Sequence, residues 1–414
     1  MRCIATRSGL SWLQPDGKKL LVTRGLRTFG YGYLAVALGL YLQQLGLSSF
    51  QVGLVLTAAV AGSALMNILW SLVADRFGRR RAIATMAALM VAGGLVFALG
   101  DRLWLLILGA FTGTISASSA EVGPFVTVEQ AILPQTAPDE RRTWLFSIYD
   151  TVGSLAGAAG ALFTGAVALF ARFGLTGAGS YRPLFVIYAG IGLLNLVFFL
   201  SLSERVESAR VDRQRRLTGL HRSTGLVAKL SALFGLDALA GGLVLQSIVA
   251  YWFHLRWGLS PATLGVLFFW AGLLSGASLL AAGWMAQRFG LLKTMVFSHL
   301  PSNLLLILVP VAPAAWLAIL LFLARMSVSQ MDVPTRKSYT MAVVAPDERT
   351  AAAGITNVAR TVASAVSPLV SGVAIGIGAL GLPFFIAGGL KVVYDGLVYA
   401  TFRNVRPPEE QKLS

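Results

Sequence analysis

The sequence predicts an all-α integral membrane protein in which twelve transmembrane helices form two pseudo-symmetric bundles of six. Three observations support this fold class. Hydrophobic residues make up 56% of the 414 residues and charged residues only 13%, about half the charged fraction of a soluble domain. Apolar segments of about 20 residues, the length that crosses a bilayer, recur along the whole chain. A short sequence from the first half also returns in the second half.

Twelve apolar segments account for nearly the whole chain between its polar ends. We number them as spans 1 to 12. In the first half they cover residues 20–42, 50–74, 81–99, 103–133, 143–170 and 183–201. In the second half they cover residues 228–255, 262–286, 292–312, 315–343, 350–377 and 382–402. Spans 4, 5, 10 and 11 exceed the thickness of the bilayer and are expected to tilt or to extend beyond it.

The basic residues predict how the chain is oriented. A net charge of +16 in a soluble protein would suggest a nucleic-acid partner. Here 25 of the 34 Lys and Arg residues fall in the tails, in the loops after the even-numbered spans, or in the span ends that adjoin those loops, whereas four fall in the opposite loops. Because positive loops stay in the cytosol, we expect a multi-pass protein of the plasma or inner membrane with both termini cytosolic and no nucleic-acid partner.

The longest polar stretch divides the chain in two. It predicts an N-terminal bundle at residues 1–203, a cytosolic central loop at residues 204–227 and a C-terminal bundle at residues 228–414. Cys3 is the single cysteine and only three histidines occur, so no disulfide, metal site or cofactor is expected. No phosphate-binding loop or nucleophile motif is visible, which argues against an enzyme or direct use of ATP.

The two halves are related by an internal repeat. The sequence Ala-Pro-Asp-Glu-Arg at residues 137–141 recurs at residues 345–349, in each case before an odd-numbered span. Asp-Arg-Phe-Gly at residues 75–78 is echoed by Gln-Arg-Phe-Gly at residues 287–290. A duplicated six-helix unit is typical of secondary transporters, which bind solutes near the midplane between the two halves.

The segment from Ser71 to Arg81 resembles the signature of the major facilitator superfamily between helices 2 and 3, Gly-x-x-x-Asp-Arg-x-Gly-Arg-Arg-Arg, with Ser71 in place of the first glycine. This resemblance implies a monomer whose two bundles rock around a central site. It also implies that Asp75, Arg76 and Arg79 help to hold one end state. From the residues alone, Asp75 can accept hydrogen bonds from a helix N-terminus, and the arginines can anchor at anionic lipid or simply fix the topology.

The resemblance extends to drug and organic-solute efflux proteins of that superfamily. Gly153, Gly157, Ala161 and Gly165 place small residues four apart in span 5, a spacing that allows helices to approach closely. The drug/proton antiporters also have a proline in helix 5 and an arginine in helix 4. Here span 5 lacks the proline and span 4 lacks the arginine.

Ionisable side chains inside spans identify the candidate functional residues, since each costs about 2.5–3.5 kcal/mol at the centre of the membrane. The candidates for the substrate or proton pathway are Arg27, Glu121, Asp150, Asp237, Arg325 and Arg360. The gating or structural candidates are Asp75, Arg76, Arg79, Glu129, Asp332, Lys391 and Asp395.

Several of these charges allow two interpretations. Glu121 either titrates protons or pairs with Arg27. Lys391 and Asp395 lie one helical turn apart and are expected to form an ion pair within span 12. Arg24 is expected to extend to the cytosol, and His299 to be structural.

The sequence therefore predicts a secondary active transporter of small organic solutes, coupled to protons and working as an exporter. The alternative is an importer of an anionic solute, such as an organic acid, a sugar or a phosphate ester. In that alternative Arg27, Arg325 and Arg360 provide the counter-charges. In both cases the expected partners are a small-molecule substrate, protons and the lipid bilayer.

Overall fold

The computed structural model describes residues 11–119, 123–138, 141–207, 220–345 and 348–405. The regular structure of these residues is helical. The helices of the first half are α1 (Pro15–Gln44), α2 (Ser49–Phe77), α3 (Arg79–Leu99), α4 (Leu103–Phe111), α5 (Pro124–Ile132), α6 (Arg142–Phe163), α7 (Ala166–Arg172) and α8 (Arg182–Leu200).

The second half repeats this arrangement. Its helices are α9 (Thr224–Gly242), α10 (Gln246–Trp257), α11 (Pro261–Phe289), α12 (Leu291–Leu308), α13 (Ala315–Met326), α14 (Asp332–Val343), α15 (Arg349–Ala365), α16 (Ser367–Gly376) and α17 (Leu382–Phe402). Seven spans are single helices, and spans 4, 5, 7, 10 and 11 each consist of two. The predicted fold of twelve spans in two bundles of six is confirmed.

Nine helical segments of the described residues are long and apolar enough to cross a membrane, and Ala315–Met326 is a shorter apolar helix. The spans outside those nine are 1, 4 and 10. Span 1 carries Arg24 and Arg27, while spans 4 and 10 are divided into two short helices. The interruptions of spans 4 and 10 occupy equivalent positions in the two halves, as the repeat predicts.

The break in span 4 has an identifiable cause. Proline has a backbone angle suited to the first turn of a helix, and Pro124 begins α5. At the other side of the break, Gly113 adopts a φ of 72°. A Cβ at Gly113 would lie only 2.7 Å from the backbone of Gly62 in α2. The non-helical chain therefore runs directly against α2, in the middle of the protein.

Small residues allow α1 and α6 to pack backbone against backbone. A Cβ at Gly32 would lie 2.1 Å from the carbonyl oxygen of Gly157, and one at Gly160 would lie 2.0 Å from that of Phe29. The predicted close approach of span 5 to a neighbour therefore occurs, and its neighbour is span 1.

The two halves are joined at one end of the bundle. We call the end where α1 begins and α17 ends the terminal end, and the opposite end the far end. A single apolar core crosses both halves at the far end, whereas at the terminal end each half has an apolar core of its own. The hydroxyls of Ser49 and Tyr251 lie 3.0 Å apart across the far end, and Gly53 packs on Gly372. The halves are therefore packed together at the far end and separate toward the terminal end.

Two carboxylates attach the described parts of the central segment to the bundles. Glu207 accepts hydrogen bonds from the backbone N–H groups of Arg79 (2.7 Å) and Arg80 (3.2 Å) at the start of α3. Glu348, just before α15, accepts from the backbone N–H groups of Arg222 (2.7 Å) and Ser223 (2.9 Å). Hydrogen bonds from the Ser223 side chain and from this backbone lower the pKa of Glu348 to about 2.

Candidate functional site: a charged central cavity

A cavity of about 320 Å³ lies between the two halves. Helices α1 and α2 and the break in span 4 form its wall on one side, and α9, α15 and α17 form the other. The described residues of the first-half wall are uncharged, and they present polar groups from Tyr31, Ser63, Thr114, Ser116 and Ser118. The wall from the second half contains the charged residues that line the cavity, Asp237, Arg360 and Lys391.

Asp237 is the centre of this charged wall. The Nζ atom of Lys391 lies 2.5 Å from Asp237 Oδ1, and Nη1 of Arg360 lies 3.1 Å from Oδ2. Asp237 and Lys391 are almost fully buried, whereas 28% of the Arg360 side chain is exposed. Gly241, one turn after Asp237, has no side chain to cover Lys391, and a Cβ there would lie 3.8 Å from Nζ. The two cations thus converge on one carboxylate at the surface of the cavity.

A third cation, Arg336, contacts Asp237 from α14. Its Nη1 atom lies 3.0 Å from Asp237 Oδ2 and 2.9 Å from Asp332 Oδ2. Arg336 is absent from the predicted site residues because, next to Lys337, it resembles the basic end of a span. The spacing of Asp332 and Arg336, one turn apart on the same helix face, is the signal that could have identified it.

The expected ion pair between Lys391 and Asp395 is wrong, because the two side chains have different partners. Lys391 contacts Asp237, whereas Asp395 Oδ1 lies 2.8 Å from Nδ1 of His299 and Asp395 Oδ2 accepts from Asn303 at 2.9 Å. The Nε2 atom of His299 lies 3.8 Å from Asp237 Oδ1. His299 therefore lies between two carboxylates, a position that the sequence pattern did not indicate.

The first half has a separate buried ion pair. Nη2 of Arg27 lies 2.7 Å from Glu129 Oε2, and both side chains are fully buried. Tyr149 donates to the same oxygen at 2.5 Å, and the guanidinium of Arg27 lies 4.4 Å from the centre of the Phe125 ring. Arg24 is buried over the Tyr149 ring instead of extending to the cytosol. Arg27 thus pairs with Glu129, while Glu121 lies outside the described residues.

The signature segment forms contacts within its own half. Nε of Arg79 lies 2.9 Å from Asp75 Oδ1, and Nη1 of Arg79 donates to the carbonyl oxygen of Ala131 at 3.1 Å. The N-terminus of α3 is capped by Glu207, and Asp75 instead accepts from the Arg79 side chain. Arg76 is exposed at the end of α2.

Two other predicted pathway residues do not line this cavity. Asp150 is exposed on α6. Arg325 is half-buried at the end of α13, where its Nη1 donates to the sulfur of Met326 at 3.2 Å. Within the described residues Arg325 forms no ion pair. Of the six predicted pathway residues, Asp237 and Arg360 meet at the cavity.

The charge of the cavity wall limits what it can bind. One carboxylate, Asp237, faces the cavity with two cations, Arg360 and Lys391. The described lining residues carry a net positive charge in a partly desolvated site, where electrostatic attraction is stronger than in water. Such a surface favours a ligand with a negative group.

Comparison with known proteins gives a consistent result. The family model "Major Facilitator Superfamily" matches residues 20–256 and 230–414. The chain is 28% identical over 423 residues to the uncharacterized membrane protein YJR124C of Saccharomyces cerevisiae, covering 94% of both chains. It is 26% identical over 304 residues to the multidrug resistance protein MdtG of Citrobacter koseri, covering 69% of this chain and 70% of that one. Its fold is similar to that of the nucleoside transporter NupG, with a TM-score of 0.72 and 15% identity over 94% of this chain and 100% of NupG.

Proposed function

Because the chain belongs to the major facilitator superfamily and is a secondary transporter, we propose that it transports small organic solutes that carry an anionic group. The observation that supports this most is the pair of cations, Arg360 and Lys391, that shares the carboxylate of Asp237 among the described residues lining the cavity. A solute carboxylate or phosphate would supply the missing negative charge. Arginine suits such a group because its planar guanidinium can donate two parallel hydrogen bonds to it.

The rest of the cavity suits a solute with polar groups beyond its anionic end. The hydroxyl-bearing side chains of the first half face the cations across a cavity of about 320 Å³. This volume lies at the small end of the range for ligand pockets, roughly 300–1,000 Å³. We therefore expect a solute of metabolite size, bound with its anionic group toward α15 and α17.

The proposal includes a membrane orientation and two moving parts. Both termini are placed in the cytosol of a plasma or inner membrane, since positive charge concentrates at that end. Residues 1–203 and 228–414 are then the two bundles that rock, and residues 204–227 connect them. In this orientation the packed far end is external and the separated terminal end faces the cytosol. The chain is proposed to act as a monomer.

A second candidate is proton-coupled efflux of drug-like solutes. The observation that favours it is the similarity to the multidrug resistance protein MdtG over about two thirds of both chains. In this function the buried carboxylate of Asp237 would attract organic cations. Asp237 already contacts three cations, and this favours an anionic solute over an organic cation.

Thermal unfolding of the purified protein distinguishes the two candidates. We expect at least one of gluconate, benzoate and glycerol 3-phosphate to raise the unfolding temperature, because a ligand at 100 times its Kd stabilises the folded state by about 2.7 kcal/mol. Arg360→Gln should abolish this shift. The matched control, Arg325→Gln, should retain it, since Arg325 does not line the cavity. Stabilisation by tetraphenylphosphonium or ethidium alone would instead support efflux of cations.

A further inference from the structure

His299 and Asp395 have no role in the solute site described above, although both are buried beside it. Asp395 is 1% exposed and His299 4% exposed. Asp237 has three Lys or Arg partners and Asp332 has one, whereas Asp395 contacts His299 and Asn303. A buried carboxylate is costly without a compensating positive charge. Lys391 acts on Asp395 only through space, and the positive charge in hydrogen-bond contact with Asp395 would be a proton on His299.

We propose that His299 and Asp395 form a proton-binding pair that controls whether Lys391 is held by Asp237 or is free to bind the solute. This inference rests on the proposed function. The proton site then lies on α12 and α17, behind the cavity wall. Asp237 is the carboxylate that the proton site and the solute site share.

The geometry of the imidazole ring supports this role. Its two nitrogens face two different carboxylates, with Nδ1 2.8 Å from Asp395 and Nε2 3.8 Å from Asp237. A neutral imidazole has one N–H group and can donate to one of them, whereas an imidazolium has two and can donate to both. Uptake of a proton from solution forms the second N–H bond and breaks no other covalent bond. It allows His299 to bind both carboxylates at once.

The coupling to the solute site passes through a single oxygen atom. Oδ1 of Asp237 is the atom that Nε2 of His299 approaches, and it is also the atom bound by Lys391. A movement of less than about 1 Å would bring Nε2 within the normal hydrogen-bond distance. A protonated His299 would place a second cation on the oxygen that binds Lys391, and the repulsion between the imidazolium and the ammonium weakens the hold of Asp237 on Lys391. The displaced ammonium group lies at the cavity, where an anionic solute can bind it.

Other charges around His299 set its environment. Tyr394 packs its ring edge to face on the imidazole at 5.9 Å. The titratable and charged groups that surround His299 from the neighbouring helices are Asp237 on α9, Arg325 on α13, Asp332 and Arg336 on α14, Arg360 on α15, and Lys391, Tyr394 and Asp395 on α17. This set contains three acids and four cations, so a proton on His299 adds a further positive charge to the cluster.

The consequence is that proton and anion bind together. Because coupling between two ligands is reciprocal, an anion on Lys391 must also strengthen proton binding at His299. If one proton is taken up per anion, the affinity for the anion falls about tenfold per pH unit above the titration midpoint of the free protein. Proton and solute then move in the same direction, which is symport and the opposite of proton-coupled drug efflux.

Histidine-selective NMR tests the proton site directly, because the chain has only three histidines. We expect the His299 resonance to shift as the pH is lowered, because the ring takes up one proton. Lys391→Gln should raise the midpoint by about one pH unit, a tenfold change in proton affinity, since the ammonium that repels the imidazolium is removed. The matched control, Lys229→Gln, changes an exposed lysine of α9 and should leave the midpoint unchanged.

The outcomes separate this inference from the proposed function. A His299 resonance that stays constant from pH 5 to pH 9 in the wild-type protein, or a midpoint that Lys391→Gln does not move, overturns the proton site even if anions still stabilise the protein. Absence of stabilisation by every anion tested overturns the proposed function even if His299 titrates. The wild-type titration needs no substitution, and Asp395→Asn, which should lower the midpoint, provides a second variant if Lys391→Gln does not fold.

Discussion

Replacement of Asp237 by asparagine is expected to destabilise the protein by about 3–5 kcal/mol, the usual cost of removing one partner from a buried ion pair. The carboxylate is 4% exposed and is the shared partner of Arg336, Arg360 and Lys391. Without its charge three cations of α14, α15 and α17 repel one another inside the protein. The loss is measured as a fall in thermal unfolding temperature in detergent.

The same variant should respond more strongly to anions than the wild-type protein does. An added carboxylate can replace the missing charge, so we expect benzoate or gluconate to restore part of the lost stability. Asp150→Asn is the matched control, because it makes the same chemical change at an exposed position of α6. If Asp237→Asn is no less stable than Asp150→Asn, the ion-paired cluster does not hold the second half together.

Breaking the pair between Arg27 and Glu129 should have an effect of similar size. Either single substitution, Arg27→Met or Glu129→Leu, removes one member of a fully buried ion pair and is expected to cost about 3–5 kcal/mol. The double variant should recover much of this loss, because both charges are then gone and apolar side chains occupy their volume. Unfolding temperatures of the two single variants and the double variant form a complete double-mutant cycle.

An exposed ion pair provides the comparison for this cycle. Arg182 contacts Asp101 near the far end, with 38% and 61% of the two side chains exposed. Pairs of this kind contribute about 0–1 kcal/mol, so Arg182→Gln should change stability little. Two results would contradict a buried and coupled pair. One is a loss of stability in the single variants of Arg27 and Glu129 that is as small as that of Arg182→Gln. The other is a loss in the double variant that equals the sum of the two single losses.

The fold could be predicted from the sequence because the membrane imposes a strong pattern. Apolar segments of fixed length and the alternation of basic loops depend on the bilayer and need no knowledge of packing. The break in span 4 was partly visible in Gly123 and Pro124. Its beginning directly after Phe111 was not, because it depends on how the chain packs against Gly62 of α2.

The site could be predicted only in part, for a related reason. Residue type and depth identified Asp237 and Arg360, since charges within apolar segments are rare. Ion-pair partners were predicted from spacing along one helix, and the ion pair predicted in this way between Lys391 and Asp395 is wrong. The observed partners lie on other helices, and the packing of α9, α12 and α17 decides them. The pair of Asp332 and Arg336, which was not predicted, does have the spacing of neighbours on one helix face.

Solute uptake into proteoliposomes tests most directly the claim that the charged cavity carries an anion across the membrane. Radiolabelled gluconate, benzoate and glycerol 3-phosphate are compared in vesicles containing the wild-type protein, Arg360→Gln or Arg325→Gln, with protein-free vesicles as the blank. We predict uptake of at least one anion by the wild-type protein, at least about tenfold less uptake with Arg360→Gln, equivalent to about 1.4 kcal/mol, and near wild-type uptake with Arg325→Gln. Uptake of all three anions at the level of protein-free vesicles, or uptake that Arg360→Gln leaves unchanged, would contradict the account.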